Sequence, residues 1–242
     1  MGTEFNKEQF DAIYPQGIEN HYWTFARNKI LCSLLKKERA NNHILEVGCG
    51  RGIVVDYLLK QGLKIRGVEL AEVPIDEHLK SHVKSGVDVF DLNDNECEDI
   101  KVIMLLDVIE HIEFPDKFIA LLKNKFPNLK SFIITVPACN ELFSNYDTFN
   151  GHFRRYDQKM LLNEFNGMPY VKYKMNYFFH ALYLPAKLLL NTKGKRSEEI
   201  LAPTGFFKKL IHNMMALFFY IEFFLIPSKW KGTSLLLKID LE

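Results

Sequence analysis

The sequence has 242 residues, 48% of them apolar, which is enough material for one large domain with a full-sized core. Thirty-one lysine and arginine residues against 30 aspartate and glutamate residues leave a formal net charge of +1 at pH 7. This balance produces no global field that attracts nucleic acid, so no nucleic-acid partner is expected. The four cysteines are scattered without a CxxC pair. Their spacing argues against a disulfide framework or a zinc site and favours a reduced, cytoplasmic protein.

From residue 43 onward the sequence alternates between strand-like and helix-like segments. The predicted strands of this part cover 43–48, 64–70, 87–92, 101–109 and 130–138, and the predicted helices cover 52–62, 74–86 and 114–126. Strands that are apolar on both faces and alternate with helices are typical of a parallel sheet covered on both sides. The pattern therefore predicts a doubly wound α/β fold.

The last hundred residues are less regular. After residue 138 comes a long aromatic and charged loop, followed by a helix over 157–167 with Asp157 as its N-cap. Strands are predicted over 170–178 and 232–240, and an insertion of about fifty residues separates them. We expect a single domain made of an N-terminal helical lid (1–40), a core (41–178), a hydrophobic helical insertion (179–231) and the last strand (232–242).

Three glycines spaced two apart, Gly48, Gly50 and Gly52, follow the first predicted strand. Glycines clustered in this way mark a backbone that turns sharply or touches a ligand, and the carboxyl end of a parallel strand is where a cofactor binds. A dinucleotide fingerprint needs its third glycine one position later, where the chain has Ile53. Glu46, two residues before the first glycine, suits a cationic or amine-bearing ligand better than a pyrophosphate.

The pattern E-x-G-x-G-x-G resembles the first motif of the class I S-adenosylmethionine-dependent methyltransferases. The order of elements over 43–178 fits that family, and "DVIEHI" after the fourth predicted strand resembles its small-molecule (type 11 and type 23-like) branch. The resemblance implies a seven-stranded, Rossmann-like, mostly parallel sheet. It also implies S-adenosylmethionine as the cofactor and S-adenosylhomocysteine as the product.

The resemblance also assigns cofactor contacts to the ends of successive strands. The glycine loop would lie under the methionine part, acids and apolar residues after the second and third strands would hold the ribose and the adenine, and an N-terminal arginine would pair with the methionine carboxylate. The implied cofactor-binding residues are Arg27, Glu46, Gly48, Gly50, Gly52, Glu69, Leu70, Asp91, Leu92, Leu106 and Asp107.

The loop after the fifth predicted strand holds the candidate acceptor chemistry. His152 could deprotonate an acceptor hydroxyl with Asp147 orienting its ring, and His111 is an alternative catalytic residue. No metal site is predicted, because His78 and His82 have i, i+4 spacing but no evident third ligand. The candidate substrate-binding residues are His21, Trp23, Asp147, Arg154, Arg155 and Tyr156.

The acceptor class is constrained by a missing motif. Family members that methylate amides or adenine amines have N/D-P-P-Y/F where this chain has "LLDVIEHI", so we expect O-methylation of a small, saccharide-linked or lipid-linked molecule. The chain also resembles methyltransferases of bacterial cell-surface polysaccharide, lipid and quinone pathways. The apolar segment 206–227 predicts either peripheral membrane contact or a helical cap, including one at a homodimer interface. A non-catalytic cofactor-binding protein and an NAD-dependent oxidoreductase are the alternatives.

Overall fold

The computed structural model describes residues 7–35, 43–192 and 194–242. Seven strands form one sheet with the order β3-β2-β1-β4-β5-β7-β6. The strands are β1 (His43–Val47), β2 (Ile65–Glu69), β3 (Val83–Ser85), β4 (Ile100–Leu106), β5 (Ser131–Pro137), β6 (Tyr170–Phe178) and β7 (Ser234–Leu241). The helices are α1 (Lys7–Ile13), α2 (Tyr22–Leu35), α3 (Ile53–Lys60), α4 (Asp94–Glu98), α5 (Pro115–Lys125), α6 (Asn145–Phe149), α7 (Gln158–Asn163), α8 (Tyr183–Asn191) and α9 (Phe206–Leu225).

The sheet is parallel except for β7, which runs antiparallel to both β5 and β6. β1 pairs with β2 on one side and with β4 on the other, so the order in which strands are added to the sheet reverses at β1. The prediction of a seven-stranded, mostly parallel sheet is confirmed. Because the carboxyl ends of β1, β2 and β4 meet at this reversal, the fold opens its crevice where the glycine loop begins.

Two predicted elements of the central region are wrong. The segment 74–86 is not a helix: it contains one 3₁₀ turn, Glu77–Leu79, and then the short strand β3. The segment 87–92 is not a strand, because residues Val89–Asp91 form another 3₁₀ turn. The segment 74–86 has a local preference for helix, but pairing of its last part with β2 overrides it. Val83–Ser85 form the backbone hydrogen bonds that the edge of β2 would otherwise lack.

The region between β6 and β7 contains two apolar helices, α8 and α9. α9 packs against α2, and the Ser33 and Tyr220 hydroxyls of these helices are 2.8 Å apart. The one acidic residue of α9, Glu222, is buried and accepts the backbone N–H groups of His180 (3.0 Å) and Ala181 (2.7 Å). α9 is thereby fixed to the end of β6. The predicted boundary at residues 40 and 41 lies outside the described residues.

Candidate active site

A cavity of about 860 Å³ opens at the carboxyl ends of β1, β2 and β4. Residues of α1, α2, α8 and the segment 196–201 cover its other side. Small-molecule sites have volumes of about 300–1,000 Å³, so this cavity has room for a cofactor and part of an acceptor. The predicted site residues that line it are His21, Trp23, Arg27, Glu46, Gly48, Gly50, Glu69, Leu70, Leu106, Asp107, His111, His152 and Arg155.

The glycine loop between β1 and α3 forms part of the cavity wall with a backbone that only glycine adopts easily. Gly48 has φ +74° and Gly50 has φ +54°, both in the left-handed region. A Cβ at Gly50 would lie 2.5 Å from the Tyr14 hydroxyl oxygen, and a Cβ at Gly48 would lie 2.9 Å from a Val108 methyl. Both positions therefore require glycine for conformation and for space.

Three predicted cofactor residues lie outside the cavity. Gly52 precedes α3 with φ +78°, so its conformation serves the start of the helix. Asp91 is exposed, and Leu92 is buried in the core. Asp88 and Val89 line the cavity instead, because the chain turns after β3 and presents these two residues at its edge.

Glu69, the last residue of β2, holds the glycine loop in place. One carboxylate oxygen accepts the N–H of Gly50 at 2.7 Å and the other accepts the N–H of Ala71 at 3.0 Å. Each carboxylate oxygen has a second lone pair, so Glu69 can still accept hydrogen bonds from a ligand in the cavity.

Glu46 is a buried carboxyl with an unused oxygen. It is 3% exposed, and its Oε2 has no hydrogen-bond partner among the described residues. Burial raises the pKa of Glu46 to about 8, with the Glu69 charge adding to this effect and the Arg27 charge opposing it. Glu46 is thus mostly protonated at pH 7, and a cationic ligand beside it would favour its ionised form.

Arg27 on α2 lines the same cavity as the glycine loop. Its guanidinium forms an ion pair with Asp107 and stacks 4.4 Å from the centroid of the Trp23 ring. Its Nε has no hydrogen-bond partner among the described residues. Asp107, at the end of β4, has φ +56°, an uncommon value for a non-glycine residue. Strained backbone of this kind is typical of functional sites.

The loop after β5 brings together the predicted catalytic pair. Asp147 is fully buried and its carboxylate accepts hydrogen bonds from the Ser144 backbone N–H (2.8 Å), the Ser144 hydroxyl (3.0 Å) and Arg155 Nε (2.8 Å). His152 Nδ1 lies 2.9 Å from Asp147 Oδ1. Burial alone would raise the pKa of Asp147, but His152 and Arg155 hold it well below its ordinary value. A neutral His152 therefore donates from Nδ1 and has a lone pair at Nε2.

His111 and Glu110 complete a cluster with His152 at the cavity. The His111 and His152 rings meet edge to face with centroids 4.6 Å apart. Burial lowers the pKa of His111 to about 3, with His152 contributing, so the ring is neutral. Glu110 is fully buried, and neither of its carboxylate oxygens has a hydrogen-bond partner among the described residues. Burial and the nearby Asp107 charge raise the pKa of Glu110 well above its ordinary value.

Two histidines at the cavity join the start of α2 to α9. The rings of His21 and His212 are 5.0 Å apart, and His212 Nδ1 accepts the backbone N–H of Tyr22 at 3.2 Å. Burial, aided by His212, lowers the pKa of His21 to about 4. Trp23 stacks on Phe179 with centroids 5.8 Å apart, so aromatic packing joins α2 to the residue that follows β6.

The contacts of Arg154, Arg155 and Tyr156 do not support the predicted acceptor-binding roles. Arg154 lies outside the cavity and donates to the Glu113 carbonyl oxygen at 2.9 Å. Arg155 lines the cavity, but it donates to Asp147. Tyr156 is fully buried in the core and does not line the cavity.

Several cavity residues were not singled out from the sequence. Glu110 had the clearest signal, since it is an acid beside His111 just after an apolar strand. Asp88, Tyr146 and Asn150 lie within three residues of predicted site residues, whereas Tyr14, Arg196 and His212 lie farther from any of them and reach the cavity through the fold. The residues missed are Tyr14, Asp88, Glu110, Tyr146, Asn150, Arg196 and His212.

The sheet order and the glycine loop define the class I methyltransferase fold, and solved structures share it. The plantazolicin methyltransferase BpumL in complex with S-adenosylhomocysteine superposes with a TM-score of 0.54 at 14% identity, over 97% of this chain and 88% of that chain. A cyclopropane-fatty-acyl-phospholipid synthase-like protein from Lactobacillus casei superposes with a TM-score of 0.50 at 11% identity, over 100% of this chain and 95% of that chain. At these identities the likeness shows the fold.

The family profile described as "Methyltransferase domain" matches residues 21–178, and the chain belongs to this family. Curated relatives include ubiquinone biosynthesis O-methyltransferases. The one from Coxiella burnetii is 32% identical over 109 residues, which is 39% of this chain and 43% of the relative. The one from Nitrosococcus oceani is 28% identical over 88 residues, 34% of this chain and 37% of the relative. The chain spans about two fifths of the length of the curated relatives it matches.

Proposed function

We propose that the chain is an S-adenosylmethionine-dependent methyltransferase that methylates a hydroxyl group on an amphipathic, lipid-linked or saccharide-linked acceptor. The observation that carries the proposal is one cavity that joins the glycine loop and Glu46 to the His152–Asp147 pair. Membership of the methyltransferase-domain family supports methyl transfer over the hydride-transfer alternative. The curated relatives, which are ubiquinone biosynthesis O-methyltransferases, support oxygen as the acceptor atom over the matched part of the chain.

The cofactor end of the cavity fits S-adenosylmethionine. The glycine loop offers a surface without side chains, and the unpartnered Oε2 of Glu46 offers a buried acceptor for a cationic group. Glu69 retains lone pairs for ribose hydroxyls, and Asp88 lies at the edge where an adenine would meet the chain after β3. When bound, this cofactor supplies a methyl group on a sulfonium, whose carbon–sulfur bond breaks to leave a neutral thioether.

His152 is the residue we assign to activation of the acceptor hydroxyl. Its Nδ1 is held by Asp147, so a neutral ring presents the Nε2 lone pair at the cavity. A lone pair in that position can take the hydroxyl proton directly or can bind a cation that lowers the pKa of the hydroxyl. The His111 ring contacts the His152 ring. The buried Glu110 carboxyl beside them has no hydrogen-bond partner among the described residues, and it favours the bound cation, because deprotonation by His152 alone does not involve a second carboxyl.

One wall of the acceptor end of the cavity is apolar. Pro185, Ala186, Leu189 and Leu190 of α8 line it together with Leu201. An apolar wall beside a polar reacting group is suited to an acceptor with a hydrocarbon portion. This supports a lipid-linked acceptor over a free saccharide.

The outer surface of α8 and α9 is the feature that supports a membrane partner. We call it the apolar face, and it consists of Leu184, Leu188, Phe206, Phe207, Leu210, Ile211, Met214, Leu217, Phe218, Ile221, Phe224 and Leu225, each at least 46% exposed. On α9 these residues recur at helical spacing along one side, and exposed apolar surface of this extent marks an interaction site. The only exposed charged residues of the two helices are Lys187, Lys208 and Lys209, because Glu222 is buried.

An anionic lipid surface complements both properties of this face. Apolar side chains enter the headgroup boundary while lysines contact acidic headgroups. Among the described residues, no helix is long and apolar enough to span a membrane. We therefore propose that the apolar face docks on an anionic bilayer, with α8 between the lipid and the acceptor end of the cavity.

Calorimetric titration tests the cofactor assignment. The purified protein is expected to bind S-adenosylmethionine and S-adenosylhomocysteine saturably and not NAD. At 100 times the dissociation constant, either ligand should add about 2.7 kcal/mol of stability in a thermal shift. Gly50→Ala is expected to weaken binding at least about tenfold, since its Cβ would enter the space of Tyr14 and move the loop.

His152→Ala is the matched control for this titration. It should leave cofactor affinity unchanged and abolish methyl transfer, because the ring lies on the acceptor side of the cavity. Absence of binding by the folded wild-type protein would contradict the proposed function. Full methyl transfer by His152→Ala would contradict only the role of that residue.

Vesicle co-sedimentation tests the membrane proposal. The protein is expected to sediment with vesicles that contain about a third phosphatidylglycerol and to stay in solution with pure phosphatidylcholine vesicles. The charge-reversal pair Lys208→Glu and Lys209→Glu should release it, and so should Phe206→Ser with Phe207→Ser, since both rings are at least 75% exposed. High salt should weaken the interaction, because surface charges are screened.

Leu121→Ser provides the control, since Leu121 is 54% exposed on α5 rather than on the apolar face. It should bind vesicles like the wild type. Light scattering on the same samples tests the alternative that a second copy of the chain covers the apolar face. A stable homodimer that loses its partner in the Phe206→Ser and Phe207→Ser variant, without vesicle binding, would overturn the membrane proposal.

A further inference from the structure

We infer that Glu110, His111 and His152 form a binding site for one divalent first-row transition metal ion at the acceptor end of the cavity. Their candidate ligand atoms all lie within 4.8 Å of one another, and all three residues line the cavity. Three ligands of one ion at bond lengths of about 2.0–2.2 Å lie about 3–3.6 Å apart in tetrahedral or octahedral geometry. Side-chain rotations that move the ligand atoms by about an ångström would therefore close the site.

Glu110 is the residue that requires a partner. The side chain has no exposed surface, and neither carboxylate oxygen has a hydrogen-bond partner among the described residues. Buried polar groups in folded proteins are almost always satisfied, and an exception such as Glu110 calls for an explanation, of which a bound ion is one. With two imidazole rings beside this carboxyl, a divalent cation is a partner that the Glu110 oxygens and both rings can bind together.

The residues behind the cluster are arranged as the outer partners of a metal ligand. Asp147 holds His152 Nδ1 at 2.9 Å, which orients Nε2 toward the cavity and raises the basicity of that nitrogen. Asp147 is itself held by Arg155 and by both donors of Ser144. A hydrogen bond with the backbone of Asn150 orients His111. A fixed imidazole with a carboxylate behind it is the usual outer arrangement of a metal-bound histidine.

The donor set indicates the class of metal and its task. Two imidazole nitrogens and one carboxylate favour Mn²⁺, Fe²⁺, Co²⁺ or Zn²⁺ and leave coordination positions open toward the cavity. This inference rests on the proposed function: an acceptor hydroxyl in an open position would have a lowered pKa and would release its proton to water before methyl transfer. His152 would then be a metal ligand and not the general base.

Titration of the untagged, chelator-treated protein with CoCl₂ alone tests the site. We expect saturable binding of one Co²⁺ per chain in calorimetry, together with visible absorption bands of a nitrogen- and oxygen-ligated ion. Glu110→Gln, His111→Gln and His152→Ala should each weaken Co²⁺ binding at least about tenfold. Three separate variants keep the test decisive if one of them fails to fold, and thermal unfolding of each reports this.

The double variant His78→Gln with His82→Gln is the matched control. These two histidines have a metal-like spacing in the sequence, but His78 binds Asp56 instead, 3.0 Å away. The control should bind Co²⁺ like the wild type. The inference is overturned if the folded wild type binds no Co²⁺, or if the folded cluster variants bind it unchanged. Titration of the same samples with S-adenosylhomocysteine distinguishes failure of the metal inference from failure of the proposed function. Cofactor binding without Co²⁺ binding would contradict only the metal inference.

Discussion

Replacing Asp147 with alanine is expected to lower the free energy of unfolding by about 3–5 kcal/mol. Asp147 is fully buried, and its carboxylate accepts hydrogen bonds from Arg155, His152 and two donors of Ser144. The substitution leaves the Arg155 guanidinium, which is 4% exposed, as an unpaired buried charge. Urea unfolding of the two proteins measures the difference.

Asp157→Ala is the matched control, because Asp157 is an exposed aspartate whose carboxylate caps α7 through the Met160 N–H at 2.8 Å. It should cost about 1 kcal/mol. Adding Arg155→Met to the Asp147 variant should recover part of the loss, since no uncompensated charge remains. A cost below about 1 kcal/mol for Asp147→Ala would show that water or the cavity solvates Arg155.

Replacing Glu46 with glutamine is expected to change the pH dependence of stability and to weaken cofactor binding. The pKa of Glu46 is raised from its ordinary value to about 8. Between these values the folded protein holds a proton that the unfolded chain has lost, so wild-type stability falls as pH rises through this window. Up to about 3 kcal/mol of this loss has accumulated at pH 7, and Glu46→Gln should not show it.

Cofactor binding by the same variant should change in the opposite sense. A cationic ligand favours ionised Glu46, so wild-type affinity should rise from pH 6 to pH 8, while Glu46→Gln should bind at least about tenfold more weakly at pH 8. Thermal unfolding and calorimetry across this range supply both measurements. Glu110 also has a raised pKa, but it is present in both proteins and cancels in the comparison.

Glu77→Gln is the control, because this glutamate is exposed at the chain's surface, with its side chain 87% exposed. Its stability and binding curves should match those of the wild type at every pH. Identical pH profiles for wild type and Glu46→Gln would mean that water enters the cavity and solvates the carboxyl. The ligand-coupled interpretation of Glu46 would then be wrong.

The cofactor end of the site was predictable from local sequence for a physical reason. Glu46 lies in β1, Gly48 and Gly50 lie on the turn that follows it, and the left-handed backbone of the two glycines is a local property that only glycine adopts at low cost. Glu69 ends the adjacent strand, and parallel strands bring their carboxyl ends to the same edge. Apolar runs and helix- or strand-breaking residues in the sequence were therefore enough to predict the glycine turn and the position of Glu69 at the end of the adjacent strand.

Local sequence misled where pairing with a neighbour decided the conformation. The polar segment 74–86 has helical periodicity, but Val83–Ser85 pair with β2 and the chain then turns, which places Asp88 rather than Asp91 at the cavity. The end of a strand sets which side chain points at a ligand, and that end depends on hydrogen bonds to another strand.

The acceptor end of the site depends on the tertiary structure. The composition and spacing of the chain were sufficient for the α/β class, the glycine loop and the pairing of His152 with Asp147, which are five residues apart. The approach of Glu110 and His111 to His152 spans about forty residues, and that of α8 to the cavity spans more. Contacts of such separation are made by the packing of whole elements, so only the folded chain decided that the Glu110 carboxyl is buried without a partner and that the predicted apolar segment 206–227 leaves one side exposed.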